Sequence, residues 1–430
     1  MAVFHRMKSY SRVFAATLVT CTVLVIIYST LTLEVAGTHR DLPDISVKPG
    51  IDHPTFRVRP ATADVKPNQV QISHVRTLAI QVSPGFRSAI PQSSAFWNRK
   101  LHSGLKTLDK AGNLTQPDIN GNSTPESTES LQTNIADFNA YPSLYQDFLR
   151  SMHFRSPDVL INQPNKCTSR GKPDQVTLLL GIKSVPGNFE ERQAVRETWG
   201  QEGVYEDSLL VRTVFLLGRS GSDDPDLTHL LSFEAQQFED LLVWDFKDSF
   251  YNLTLKEHVF IKWSLQHCPQ ASFIFKGDDD VFVNTKAILK YLKSLEPAKM
   301  SKLYVGQIIS QASPHRDPKI KYYVPPTFYD GPYLPYAGGG GFVFSGALLE
   351  SLFSISRYIP FYPIDDVYTG MCFHALGIPP EKHSGFQTFD IREQDRGNPC
   401  VHRDLLVVHR RSPQQAIRLW RSMKSPLLMC

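Results

Sequence analysis

Four short, almost wholly apolar runs constrain this chain more than any other feature: VTLLLGIKS (176–184), VRTVFLLG (211–218), LLVWDF (241–246) and ASFIFK (271–276). Each is too short for a buried helix and lacks the alternation of a half-exposed strand. Each therefore reads as a strand buried on both faces. Between them lie NFEERQAVRETWGQ (188–201), LTHLLSFEAQQF (227–238) and TLKEHVFIKWSLQHC (254–268), whose apolar residues recur at helical spacing. Strand-helix alternation of this kind predicts an α/β domain, a mostly parallel sheet flanked by helices. The 430 residues hold one large domain or two ordinary ones, and no repeat period breaks the pattern.

In such sheets ligands bind outside the carboxyl ends of the strands. The fourth run ends in FKGDDDVFVN, with Asp278, Asp279 and Asp280 adjacent. Three neighbouring carboxylates repel one another and need a cation. In extended chain Asp278 and Asp280 face the same way, so their oxygens can meet one hard divalent ion, Mn²⁺ or Mg²⁺, with Asp279 pointing elsewhere. A solvated acidic turn, or a cap for NTKAILKYL, is the bland alternative.

Three further stretches carry chemistry. YAGGGGFVFSG has four consecutive glycines, Gly339 and Gly340 at their centre, which permit close backbone approach or positive φ. YPIDDVYTGMC carries Asp365 and Asp366 ahead of an amphipathic run, one suited to a general base and the other to a helix N-cap. LLVVHRRSP is a strand ending in His409, a third metal ligand through its neutral imidazole if the acidic pair holds an ion.

The N-terminal third is different. An uncharged run of about 21 residues, 13–33, is long enough to cross a bilayer and longer than a signal-peptide core. Arg6, Lys8 and Arg12 precede it, so the short tail, 1–12, is expected to stay cytosolic and the rest to be exported. Residues 34–140 are rich in Pro, Ser, Thr, Asn and Gln, and are expected to form a largely disordered stem. A folded catalytic or binding domain is expected over 141–430. Asn113, Asn122 and Asn252 head glycosylation sequons, and five of six cysteines follow the apolar run, as in an oxidising lumen. The net charge of +4 is spread thinly, which excludes a nucleic-acid stripe.

RQAVRETWG, FKGDDDVFVN, YLPYAGGGGF, IDDVYTGMC, EKHSGF and VVHRRSP occur in this order. Together they resemble the Golgi β1,3-glycosyltransferase family, over roughly 160–430. IDDVYTGMC and PPEKHSGFQTFDI are similar to the branch that extends poly-N-acetyllactosamine, whereas the galactosyltransferase branch more often has Glu at the position of Asp365. The resemblance implies a glycosyltransferase A-type, Rossmann-like fold, a single catalytic domain behind a membrane anchor and stem. It also implies a Golgi type II topology, a UDP-GlcNAc donor and a Mn²⁺ or Mg²⁺ cofactor. Acceptors would be β-galactose-terminated glycans on glycoproteins or glycolipids. A homodimer or a partner glycosyltransferase is compatible with it.

Carried onto matching positions, the resemblance makes Asp280 the principal metal ligand and His409 another, with Asp278 near ribose and metal and Asp279 beside the donor. Asp366 would be the catalytic base, with Gly339, Gly340 and Asp365 in the loop that meets acceptor and donor. Arg192, Arg196 and Lys256 either touch the donor or form buried ion pairs that fix their helices. Close relatives often carry Cys where this chain has Phe154, which leaves Cys430 without an obvious partner. The expected bridges are Cys167–Cys268, because both precede neighbouring strands, and Cys372–Cys400. The implied reaction is inverting transfer of N-acetylglucosamine to the 3-hydroxyl of terminal β-galactose. A β1,3-galactosyltransferase using UDP-Gal, and a non-catalytic luminal module binding glycans or a partner, are the alternatives.

Overall fold

The structure is a computed structural model and describes residues 81–111, 127–221 and 224–430. The apolar run 13–33, Asn113 and Asn122 lie outside the described residues. Among the described residues no helix is long and apolar enough to cross a membrane.

The four apolar runs form the centre of a nine-stranded sheet. In chain order its principal strands are β1 (Val159–Ile161), β2 (Val176–Lys183), β3 (Leu210–Arg219), β4 (Leu241–Lys247) and β5 (Phe273–Asp278). After the short β6 (Val281–Val283) come β7 (Tyr304–Gly306), β8 (Gly341–Ser345) and β9 (Glu381–Lys382). The spatial order is β1-β4-β3-β2-β5-β8-β7-β9. Strands β4, β3, β2 and β5 run parallel. Strands β1 and β8 add on antiparallel. Three short strands, β6, β10 (Phe386–Gln387) and β11 (Val407–His409), make a separate sheet beside the end of β5.

The near-continuous apolar strands are explained by two cores, one on each face. Leu178, Leu180, Ile182, Phe273 and Phe275 face one side. Leu179, Leu242, Trp244 and Ile274 face the other. This is the period of two expected of a sheet covered twice. The covering helices include α5 (Phe189–Glu197), α6 (Thr228–Phe238), α7 (Leu253–His267) and α9 (Asp365–Ala375), with α8 (Thr285–Lys293) and α10 (Pro413–Met423) near the C-terminal strands.

The expected stem does not extend to residue 140. Helices α1 (Pro84–Ala89), α2 (Phe96–Ala111), α3 (Thr128–Asn134) and α4 (Ser143–Ser151) are present. Phe86, Trp97, Leu101, Leu105 and Leu131 from the first three are buried in the same core as the sheet. Trp97, Leu101, Leu105 and Leu108 fall on one helical stripe. The Trp97 indole donates to the Pro360 carbonyl at 3.0 Å, and buried Asn98 donates to the carbonyls of Pro91 and Asp330. The folded unit therefore begins well before Tyr141. Proline and polar residues around the stripe hide it in a window-averaged reading.

The Cys167–Cys268 bridge is present, joining the segments that lead into adjacent β2 and β5. The Cys372–Cys400 bridge is not; Cys400 pairs with Cys430. Cys372 sits on the buried face of α9, where burial pushes its thiol up to about 12, while Cys400 lies in a short, partly exposed helix beside the chain end. Asn252 is half-buried, and its side-chain nitrogen donates to the Lys247 carbonyl at 2.8 Å. The sequon's Thr254 is buried and donates to the Tyr362 carbonyl. Both sequon side chains hold the turn into α7.

Candidate active site

The order of strand connection switches at β2: β3 and β4 lie to one side and β5 to the other. Ligands in α/β sheets bind at such a switch point, beyond the carboxyl ends. A cavity of about 600 Å³ opens there, a usual size for a small-molecule site. Its walls include Lys183, Asp278, Asp279, Asp280, the glycines 338–340, Asp365, Asp366 and His409. Segments far apart in sequence thus converge as the motifs suggested.

The acidic triplet meets more than one partner. Asp278 closes β5 and lies opposite Lys183 in the parallel register, with Lys183 Nζ at 2.8 Å from its Oδ1. The chain turns at Asp279 and Asp280, so the extended-chain argument that aims Asp278 and Asp280 alike does not hold. Asp279 accepts from Asn188 Nδ2 at 3.0 Å, and burial pushes its carboxyl up to about 6. Asp280 faces His409 Nε2 at 3.4 Å and Arg410 Nε at 3.2 Å. Burial opposes its charge, but the His409 and Arg410 contacts hold its carboxyl below the ordinary range.

His409 arrives because β11 pairs antiparallel with β6, placing it opposite Val281. Its Nδ1 is at 3.1 Å from the Thr388 carbonyl. The hydrogen bond to Asp280 raises the His409 pKa; a proton kept on Nδ1 by the Thr388 carbonyl would free the Nε2 lone pair for a cation held between His409 and Asp280. Among the described residues no cluster of three or more metal-binding side chains exists. The donor set fits a hard divalent ion that takes its remaining ligands from substrate oxygens or water. Charge supports this: the walls carry five aspartates against Lys183, Lys256, Lys321 and Arg410. Three of those cations are already paired, Lys183 and Arg410 with carboxylates in the wall and Lys256 with Asp248.

Asp365 and Asp366 open α9, but Asp365 is not a cap. Its Oδ2 accepts from Lys183 Nζ and from Lys276 Nζ, each at 2.9 Å, and all three side chains are buried. Burial works against its charge, yet the two ammonium groups hold its carboxyl far below the ordinary range. Asp366 accepts from the Gly339 N–H at 2.9 Å and from its own helix at the Val367 N–H. Burial, then the Asp365 charge, pushes its carboxyl up to about 7. Two adjacent carboxyls with opposed shifts suit two different roles.

The glycine run serves close approach. None of the four adopts positive φ. A Cβ on Gly339 would lie 3.1 Å from Asp366 Oδ2, and one on Gly338 would clash with Thr388 Oγ1 at 2.5 Å. Gly340 carries the looser contacts, to Thr388 and His409.

Arg192 and Arg196 do not reach the cavity walls. Arg192 is fully buried, and its Nε and two terminal nitrogens donate to Glu234, Ser184 Oγ and the carbonyls of Val185 and Pro186. Arg196 pairs with Glu234 and Asp240. The alternative of buried ion pairs is the one observed, because both face α6 rather than the strand ends. Arg192 still shapes the site, since Ser184 and Val185 line it. Arg192→Leu should cost about 3–5 kcal/mol of folding stability, read by urea denaturation, because it takes the bidentate partner from buried Glu234, leaving it only Arg196, and removes the donor from two carbonyls. Lys256 reaches the wall, but its ammonium is held by Asp248 and the Ser184 carbonyl.

Lys183 is the wall residue that the motifs passed over; a lysine closing an apolar strand was its only sequence signal. Tyr322 and Phe389 are exposed and line the cavity, offering apolar surface to sugar rings.

The galactosyltransferase family model matches residues 190–384. N-acetyllactosaminide β-1,3-N-acetylglucosaminyltransferase 2 of Mus musculus is 46% identical over 347 residues, covering 78% of this chain and 86% of the relative. The Homo sapiens enzyme of that name is 49% identical over 298 residues, covering 69% and 74%. N-acetyllactosaminide β-1,3-N-acetylglucosaminyltransferase 4 of Homo sapiens is 43% identical, covering 67% and 74%. With identity this high over most of both lengths, and with four of the six motifs meeting at one cavity, the chain belongs to the β1,3-glycosyltransferase family, among its β1,3-N-acetylglucosaminyltransferases.

Proposed function

We propose that the chain transfers N-acetylglucosamine from UDP-GlcNAc to the 3-hydroxyl of a terminal β-galactose, with inversion, extending poly-N-acetyllactosamine. The observation that carries this is Asp366. It is a half-buried carboxylate with a raised pKa, held on a glycine N–H in the wall shared with the acidic strand end. The relatives' names supply the donor and the acceptor. A glycosyltransferase A-type arrangement agrees with the mostly parallel sheet and the acidic turn after β5.

Asp366 takes the proton from the acceptor hydroxyl as its oxygen bonds to the anomeric carbon. The bond from that carbon to the diphosphate oxygen breaks, and UDP leaves with the electron pair. One displacement turns the α-linked donor into a β product, so no carboxylate nucleophile is needed. Gly339 fixes the Asp366 oxygen that it binds. Asp280 and His409 would hold a divalent cation, with Asp278 nearby; when bound, that ion supplies positive charge to the departing diphosphate. Lys183 bridges Asp278 and Asp365 and so holds them side by side.

Residues 13–33 are proposed as a type II signal anchor of a Golgi enzyme with its catalytic domain luminal. Their apolar length and the two disulfides support an oxidising compartment.

Purified full-length protein with Mn²⁺ and a β-galactose-terminated acceptor should turn over UDP-GlcNAc and make a β1,3 linkage. Faster turnover of UDP-Gal would make the chain a β1,3-galactosyltransferase. No transfer to any β-galactoside from either donor would favour a binding module.

A further inference from the structure

Behind the cavity lies a charge pair that the reaction above does not use. Lys276 on β5 and Glu257 on α7 are both buried and ion-paired to each other, and neither lines the cavity. Lys276 interrupts the strand Phe273–Asp278 between Phe275 and Gly277, and in register it lies opposite Gly181 and Phe342. Burying such a pair costs several kcal/mol per ion, and apolar side chains of equal volume often do as well or better. Stability alone therefore gives little reason for it.

The geometry gives a different reason. Lys276 Nζ also donates to Asp365 Oδ2, the oxygen that Lys183 Nζ holds from the other side. Lys183 in turn holds Asp278. A continuous ion-paired chain thus runs from buried Glu257 through buried Lys276, Asp365 and Lys183 to the half-buried Asp278, tying the first turn of α9 to the ends of β2 and β5. Asp366 follows Asp365 directly in that turn. Its contact with the Gly339 N–H depends on where the turn sits.

We propose that Lys276 and Glu257 are positioning residues for glycosyl transfer: they hold Asp365 against the sheet and so set the placement of Asp366 against Gly339 and the acceptor hydroxyl. The inference rests on the function proposed for Asp366. Misplacing a reacting group by about 1 Å can cost about 10²-fold in rate.

Lys276→Met alone leaves Glu257 buried and unpaired, and poor folding is expected of it. The informative variant is Glu257→Gln with Lys276→Met, which removes one charge of each sign at nearly constant volume. Its kcat should fall by about 10- to 100-fold, with KM for UDP-GlcNAc little changed and a wild-type unfolding profile. The acid limb of kcat/KM should move to higher pH, because the Lys276 ammonium is one of the charges that lowers the Asp366 pKa. The other ionisable groups facing Asp366 are Asp365 on its own helix, Lys183 on β2, and Tyr304, Tyr322, Tyr333 and Tyr336. Burial holds all four phenols above their ordinary range, so they stay neutral across the profile. A double variant with wild-type kcat and an unmoved limb overturns the inference and leaves the function standing. A wild-type protein without transfer overturns both.

Discussion

Asp366→Asn should lower kcat by about 10²–10⁴-fold while leaving the affinity for UDP in the presence of Mn²⁺ unchanged. A sugar hydroxyl is too weak an acid to ionise near neutral pH, so its proton must leave as the new bond forms. Asparagine keeps the size of Asp366 but cannot accept that proton. The cation site proposed for UDP binding, at Asp280 and His409, lies on other elements. Asp365→Asn should behave differently. It leaves Lys183 and Lys276 buried with half their charge compensation gone, so about 3–5 kcal/mol of stability should be lost before any effect on rate is read. Turnover, UDP affinity and denaturation of the two variants separate the roles. If Asp366→Asn turns over normally, the base is another group.

Transfer should stop in EDTA and return with Mn²⁺. Asp280→Ala should lose transfer in either condition while its circular dichroism stays that of the wild type. Asp280 and His409 face each other at 3.4 Å across the cavity wall, and Asp280 is only half-buried, so its removal opens no core. His409→Ala should demand a higher Mn²⁺ concentration for half-maximal rate, on the order of 10- to 100-fold. Full rate in chelator would remove the ion from the account, and with it the reason for Asp280.

The central sheet was legible because its signal is local. Runs such as VTLLLGIKS and ASFIFK are apolar at nearly every position, and β2 and β5 fall within two residues of the expected bounds. The convergence of Asp278–Asp280, Asp366 and His409 was legible through motif order. What stayed hidden is long-range electrostatics. Nothing within FIFKGD says that Lys276 meets Glu257, or that Lys183 stands opposite Asp278; those pairings come from strand register and from α7 crossing the sheet. The same holds for Arg192, whose partner Glu234 is on another helix. Cys430 was unreadable for a related reason: its pairing depends on where the chain end folds back. Helices α1 to α3 were missed because their stripe is short and is flanked by proline and polar sequence.

The central claim is that Asp366 is the base, and its pKa makes the claim measurable. Burial and the Asp365 anion push that pKa up to about 7. The base form then dominates only above about pH 7, and kcat/KM should fall about tenfold per pH unit below it. The measurement is kcat/KM from pH 5 to 9 at saturating Mn²⁺, for wild type and Asp366→Asn, with a β-galactose-terminated acceptor. The predicted result is an acid limb near pH 7 in the wild type and its disappearance from the residual rate of the variant. The same limb in both proteins, or a flat wild-type profile down to pH 5, would contradict it.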